Sequence, residues 1–423
     1  MKEIKRVAKN GVCVYGYKNP RVNSFYISLF VRSGSMYEDE GRRGMTHFLE
    51  HALIRNVNIV MSGKMYSLLD KNGIEFNAST YSEMVQFYIT GSSGKLPLAS
   101  ELLLKLFSPI SLTSEDMRAE RDRIRAEIRE SDDKTSLSTF SSSIVHEGSS
   151  LSHSILGSLS DVSRISASRL EAYRKEVFTA ENVFIYVTGN YEQAHMDALL
   201  DALGEVPLPH GVKRENLAPV SQKFGKREPK VYIKNADYTM LRFTFDMDMS
   251  RLLFGVDDLI YDILLGGYSS RFFTELSEKR GLVYDLSGAV EKYRNIGSFF
   301  FTFEVKGGSV YEALELVLDI LSELKASLIS EDECMKAGYT DNGAILADDV
   351  RETNFTFAYD NHILGAGYSS IEERSALYSA ITPEDIREAA RVIFRPENLT
   401  LTMKGNKKKL DCERIDGILR SFK

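Results

Sequence analysis

The chain has 423 residues, 43% of them hydrophobic and 27% charged, the balance of a soluble globular protein with room for two or three domains. Its formal net charge of −7 argues against a general affinity for nucleic acid or acidic membrane surfaces, both of which require a basic excess. Cys13, Cys334 and Cys412 are too few and too scattered for a disulfide framework or a C-x-x-C metal pair, and read as reduced thiols.

The N-terminal stretch MKEIKRVAKNGVCVYGY is basic but has no apolar core of signal-peptide length, so a cytoplasmic protein is expected. Asn23 to Val31 alternates, with Phe25, Ile27, Leu29 and Val31 on one face, and is predicted as a strand. Met84 to Thr90 is predicted as another. Leu96 to Phe107 and Ser114 to Glu130 are predicted as helices, the second with Ser114 as N-cap followed by Glu115 and Asp116. Between Glu205 and Glu228 prolines, Gly211 and basic residues cluster without apolar periodicity, which marks a boundary. Beyond it, Leu241 to Met247 and Ser298 to Val305 are predicted strands, and Val310 to Ser327 a helix. The most apolar runs, such as Ser298 to Phe303, are far too short to span a bilayer, so no membrane association is expected.

Two pairs of segments repeat at one offset of 216 residues. FTAENVFIYVTGN (Phe178 to Asn190) matches FRPENLTLTMKGN (Phe394 to Asn406), and Ser114-Glu115-Asp116 matches Ser330-Glu331-Asp332. A period this long implies two similar domains. The expected fold is α+β, each domain a mostly antiparallel sheet layered with helices: residues 1–212, a linker 213–229, and residues 230–423.

Of seven histidines, two fall in His47-Phe48-Leu49-Glu50-His51. On a helix this spacing places both imidazoles on one face, one turn apart, where one ion reaches both at about 2.0–2.1 Å. Glu50 can face the same ion without ligating it, as a base for activated water requires. The alternative is two packed histidines and a surface glutamate. His146, His195, His210 and His362 read as ordinary surface or packing histidines. A catalytic zinc site needs a third protein ligand. Glu120 and Glu127 lie two turns apart along one edge of the apolar face formed by Met117, Ile124 and Ile128. Salt bridges to that helix's arginines are the competing use of these carboxylates.

These residues resemble the pitrilysin family of H-x-x-E-H zinc peptidases, especially the branch with mitochondrial processing peptidase and small bacterial peptidases. The resemblance runs through nearly the whole chain. It implies Glu127, 76 residues after His51, as the third ligand, and Glu120, seven residues earlier, as a group orienting a ligand histidine. The approach GRRGMTHFLE, the Asn77-Ala78 segment with Glu83, and the loop HSILG (His153 to Gly157) also resemble the family. In the second half Gly266 to Arg271 and Glu278 to Tyr284 do so. The resemblance implies a metalloendopeptidase holding one zinc ion and acting on short or unfolded peptides in an enclosed chamber. Glu50 would be general base, Tyr284 the oxyanion donor, and Asn77 and Ala78 substrate-binding residues. A homodimer, or a heterodimer with a related subunit, is expected.

Two departures stand out. Ser277 occupies the position of a family arginine that would clamp substrate, which keeps open a two-subunit peptidase whose partner supplies it. A non-catalytic assembly subunit is the third class. After His51 the chain reads Ala-Leu-Ile-Arg-Asn-Val in place of the family's Met-Leu-Phe-Lys-Gly-Thr. At the 216-residue offset His47, Glu50, His51 and Glu127 fall on Ile263, Gly266, Gly267 and Gly343, so the second half is expected to lack the metal ligands.

Overall fold

The computed structural model describes residues 1–218 and 237–423, the side chains of residues 132–136, 340 and 341 excepted. Residues 219–229 of the expected linker lie outside the described residues. The chain forms two compact units that interleave in sequence. The first comprises residues 1–134, 153–216 and 344–371; the second comprises residues 135–152, 217–343 and 372–423.

The first unit holds strands β1 (Ile4–Val7), β2 (Cys13–Lys18), β3 (Ser24–Val31), β4 (Glu75–Thr80), β5 (Val85–Ser92) and β6 (Val183–Gly189), in the spatial order β1-β2-β6-β3-β5-β4. Only β2 and β6 run parallel; the other pairs are antiparallel. The alternation read in β3 holds: Phe25, Ile27, Leu29 and Val31 all enter one hydrophobic core. Helices Met45–Val60 and Leu96–Leu104 and the start of the long helix Ser114–Val145 pack into that core, through Phe48, Leu53, Leu103 and Ile124 among others. The long helix continues 15 residues past the expected end at Glu130. Its start is also corrected: the N-cap is Thr113, whose Oγ1 and N exchange hydrogen bonds with Asp116 in a capping box, in place of Ser114.

The opposite face of β3, with Tyr26, Ser28 and Phe30, is buried too, but mixes aromatic and polar groups. The helix Val350–Phe357 covers it, and Asn354 donates to the carbonyls of Tyr26 (3.2 Å) and Tyr186 (3.0 Å) and accepts from Ser28 Oγ (2.7 Å). A fully buried amide with its partners satisfied fixes one docking register for that helix.

The second unit holds β7 (Tyr238–Asp248), β8 (Leu286–Lys292), β9 (Ile296–Lys306) and β10 (Leu399–Lys404), all antiparallel, in the order β10-β7-β9-β8. This repeats β6-β3-β5-β4, so the duplication read in the sequence is a duplication of topology. The segments repeated at offset 216 contain β6 and β10, each paired with the central strand of its sheet.

The helices that follow β3 and β7 obey a different register. Met45–Val60 and Val256–Leu264 each have a left-handed glycine at the N-cap, Gly44 (φ 74°) and Gly255 (φ 83°), an offset of 211. In that register Phe48, Leu49, Ala52 and Leu53 align with Leu259, Ile260, Ile263 and Leu264, all buried. The second-unit equivalents of His47, Glu50 and His51 are therefore Asp258, Tyr261 and Asp262. This corrects the expectation of Ile263, Gly266 and Gly267, because the connection before the helix is five residues shorter in the second unit.

Candidate metal centre

The helix carrying the H-x-x-E-H motif begins without a side-chain cap. Its free N–H groups are instead met by Glu38, whose buried carboxylate accepts from Gly44 N (2.8 Å) and Thr46 N (2.7 Å), an anion at the positive end of the helix. Tyr173 Oη lies 2.9 Å from Thr46 Oγ1 and 2.8 Å from Ser33 Oγ, tying the helix start to the end of β3. The loop with HSILG closes over the same point. A Cβ on Gly44 would meet Leu156 O at 2.7 Å, and one on Gly157 (φ 70°) would meet Arg43 O at 3.1 Å. Both positions need glycine for conformation and for close approach.

One turn into the helix, His47 and His51 lie with ring centroids 4.7 Å apart. The long helix faces them. Glu127 Oε2 lies 3.6 Å from His47 Nε2 and 3.5 Å from His51 Nε2. Among the described residues these three form the one cluster of His, Cys, Asp or Glu able to hold a metal ion, their ligand atoms all within 4.8 Å of one another. The separations exceed the 2.7–2.9 Å of a charge-assisted hydrogen bond. They suit donors arranged around an ion: tetrahedral ligands at about 2.1 Å stand about 3.4 Å apart. Two imidazoles and one carboxylate are the donor set of a zinc site that keeps a fourth position for water.

The electrostatics fit a cation. Burial, reinforced by His51, pushes the pKa of His47 down to about 4, so its imidazole is neutral and keeps a lone pair. Burial also opposes charge on His51, but Glu120, Glu127 and Glu50 outweigh it and raise its pKa to about 9. The contrast follows from the neighbours: three carboxylates act on His51, whereas burial and His51 dominate at His47. Glu127 is held below the usual carboxylate range, chiefly by His51.

Glu120 is not among the converging ligands. It accepts from His51 on the far side of the ring, Oε2 to Nδ1 at 3.2 Å, and is 1% exposed. Glu50 lies on the motif helix with its carboxylate largely buried, and burial raises its pKa against the hydrogen bond from Thr80 Oγ1 (2.5 Å). Thr80 ends β4, so the strand next to the motif helix orients the glutamate.

Residues 14–158 match the family model described as insulinase (peptidase family M16), and residues 164–337 match that of the peptidase M16 inactive domain. The chain is a member of the M16, or pitrilysin, peptidase family. An uncharacterized zinc protease of Rickettsia felis is 26% identical over 404 residues, covering 91% of this M16 chain and 93% of the relative. The fold matches the crystal structure of a peptidase M16 inactive domain from Pseudomonas fluorescens with a TM-score of 0.84 at 17% identity, over 96% of this chain and 99% of the other. It also matches a chain of complex III2 from Candida albicans, with a TM-score of 0.78 at 16% identity, over 98% and 99% of the two chains.

The remaining residues singled out in this M16 sequence lie as follows. On β4, Ala78 shares the face of Thr80 by strand alternation, towards the motif helix, whereas Asn77 faces the other way, its Oδ1 accepting from Ala78 N at 2.8 Å. Tyr284 belongs to the second unit and its side chain is fully exposed. Sequence reasoning missed Thr80 and Glu38, and left Arg55 without a role. Thr80 carried a usable signal, two residues beyond Ala78 and so on its face; Glu38 carried none. Among the described residues no helix is long and apolar enough to cross a membrane.

Proposed function

We propose that this M16 chain is a zinc metalloendopeptidase acting on short or unfolded peptides, with one zinc ion held by His47, His51 and Glu127. The observation that carries the reading is the convergence of His47 Nε2, His51 Nε2 and Glu127 Oε2 within 4.8 Å, with Glu50 on the same helix but outside that set. The names of the relatives as zinc proteases support it. When bound, zinc supplies a Lewis acid that activates water and polarises a carbonyl.

The chain's own residues do the rest. Glu50, turned by Thr80 and raised in pKa by burial, accepts the proton of the attacking water and returns it to the leaving amine. Glu120 holds His51 by its Nδ1–H so that Nε2 carries the ligand lone pair. Among the described residues β4 pairs with β5 alone, so its outer edge offers backbone groups to an extended peptide beside Asn77 and Ala78. Tyr284 as oxyanion donor rests on the family resemblance alone.

A second reading makes this chain the catalytic member of a two-subunit peptidase. Ser277, where the family has an arginine, favours it. Cleavage of an unstructured peptide by the purified chain, before and after chelation and zinc addition, tests the proposal. Activity lost with the metal and restored by zinc is expected. Cleavage by metal-free protein would contradict it, and a zinc-loaded chain inert alone but active with a related subunit would move it to the second reading.

A further inference from the structure

The residues after His51 depart from the family pattern at Arg55, and the structure gives that arginine a place. His47, His51 and Arg55 are spaced i, i+4, i+8 along the motif helix, and so share one face. The facing long helix presents Glu127, Glu120 and Asp116 in reverse order. Glu127 lies against His47 and His51, Glu120 against His51 and Arg55, and Asp116 against Arg55.

At the far end of this ladder Arg55 Nε donates to Glu120 Oε1 at 2.5 Å, and Nη1 donates to Asp116 Oδ1 at 3.1 Å. Asp116 is itself fixed by the cap, accepting from Thr113 Oγ1 at 2.6 Å. Glu120 thus has one oxygen on Arg55 and the other on His51 Nδ1, and cannot turn without breaking both contacts. Arg123 also reaches Glu120 Oε2, at 3.4 Å, but its side chain is 59% exposed against 27% for Arg55. A carboxylate buried to 1% exposure needs a close countercharge, and Arg55 is the better-held donor.

We infer that Arg55, anchored by Asp116, is a positioning residue that locks Glu120 against His51 and so presets the imidazole for zinc. The inference rests on the zinc reading above. It assigns the departure from the family sequence a role in metal affinity, exerted wholly through Glu120.

The test is a zinc titration of the metal-free full chain against a competing chelator. It compares wild type, Arg55→Ala, Arg55→Lys, Glu120→Gln and the double variant Arg55→Ala/Glu120→Gln, with the metal-free thermal midpoint of each. Arg55→Ala should bind zinc about 10–100-fold more weakly, as loss of an outer partner typically does. Arg55→Lys should regain part of that loss, and the double variant should bind no more weakly than Glu120→Gln alone. The metal-free midpoint of Arg55→Ala should fall, because buried Glu120 loses its closer countercharge, so each variant is titrated well below its own midpoint. If Arg55→Ala does not fold, Arg55→Gln carries the same expectation. Wild-type affinity in Arg55→Ala, or losses that multiply in the double variant, would overturn the inference while leaving the zinc reading intact. A wild-type chain that binds no zinc would overturn both.

Discussion

Thr80 Oγ1 donates to Glu50 Oε2 at 2.5 Å, so the last residue of β4 fixes the direction of the proposed general base. Thr80→Val keeps the shape and removes the donor. Cleavage should fall by about tenfold in kcat, less than the roughly 10²–10⁴ that a general base itself contributes, with zinc content unchanged. A rise in KM with kcat intact would assign Thr80 to substrate binding instead.

The two glutamates of the long helix should separate by what each touches. Glu127 Oε2 faces both Nε2 atoms, and Glu120 faces only Nδ1 of His51. Glu127→Gln should therefore lower zinc affinity more than Glu120→Gln, measured by chelator competition. The reverse order would make Glu120 the ligand.

The second unit answers the same helix position with a lysine. Asp258, the equivalent of His47, and its neighbour Asp257 pair with Lys292 Nζ at 2.5 and 2.8 Å. Tyr378 Oη donates to Asp258 Oδ2 at 2.8 Å. Burial opposes the charge on Lys292, and the two carboxylates outweigh it and raise its pKa above the ordinary value. Lys292→Met would leave Asp257, 1% exposed, without its countercharge, and should cost about 3–5 kcal/mol of stability. Denaturant unfolding checks this, and adding Asp257→Asn should restore much of the loss. An unchanged midpoint in Lys292→Met would contradict it.

Asp246 on β7 gives a pH dependence. It is 4% exposed, and burial raises its pKa from 3.8 to about 7. The folded chain therefore binds this proton more tightly than the unfolded chain. The fold is best served below about pH 4, and this group withdraws up to about 4 kcal/mol as pH rises to about 7, levelling off above. Asp246→Asn should flatten that slope, so that its gain over wild type in urea midpoint grows between pH 5 and pH 8. Parallel pH profiles would contradict the assignment.

Much of this was legible from local pattern. β3 alternates well enough to read as a strand, the His47–His51 spacing needs only one helical turn, and the repeated segments announce two sheets of like topology. What was not legible depends on contacts between distant segments. Asn354 reads as an ordinary helix residue, yet its amide anchors the helix Val350–Phe357 to the sheet of the first unit. A composition break near residues 205–228 carries no trace of that return. The offset of 216 misplaced the second-unit equivalents of the motif because it belongs to the repeated segments, whereas the helix register is set by Gly44 and Gly255. Arg55 was visible as a departure, but its meaning required knowing that the long helix runs antiparallel beside it.

The zinc content per chain, measured by elemental analysis on reconstituted wild type, Glu50→Gln and His51→Ala, tests the central claim most directly. One zinc is predicted in wild type and in Glu50→Gln, because Glu50 lies outside the ligand set, and far less in His51→Ala. Loss of zinc from Glu50→Gln, or full occupancy in His51→Ala, would contradict the account.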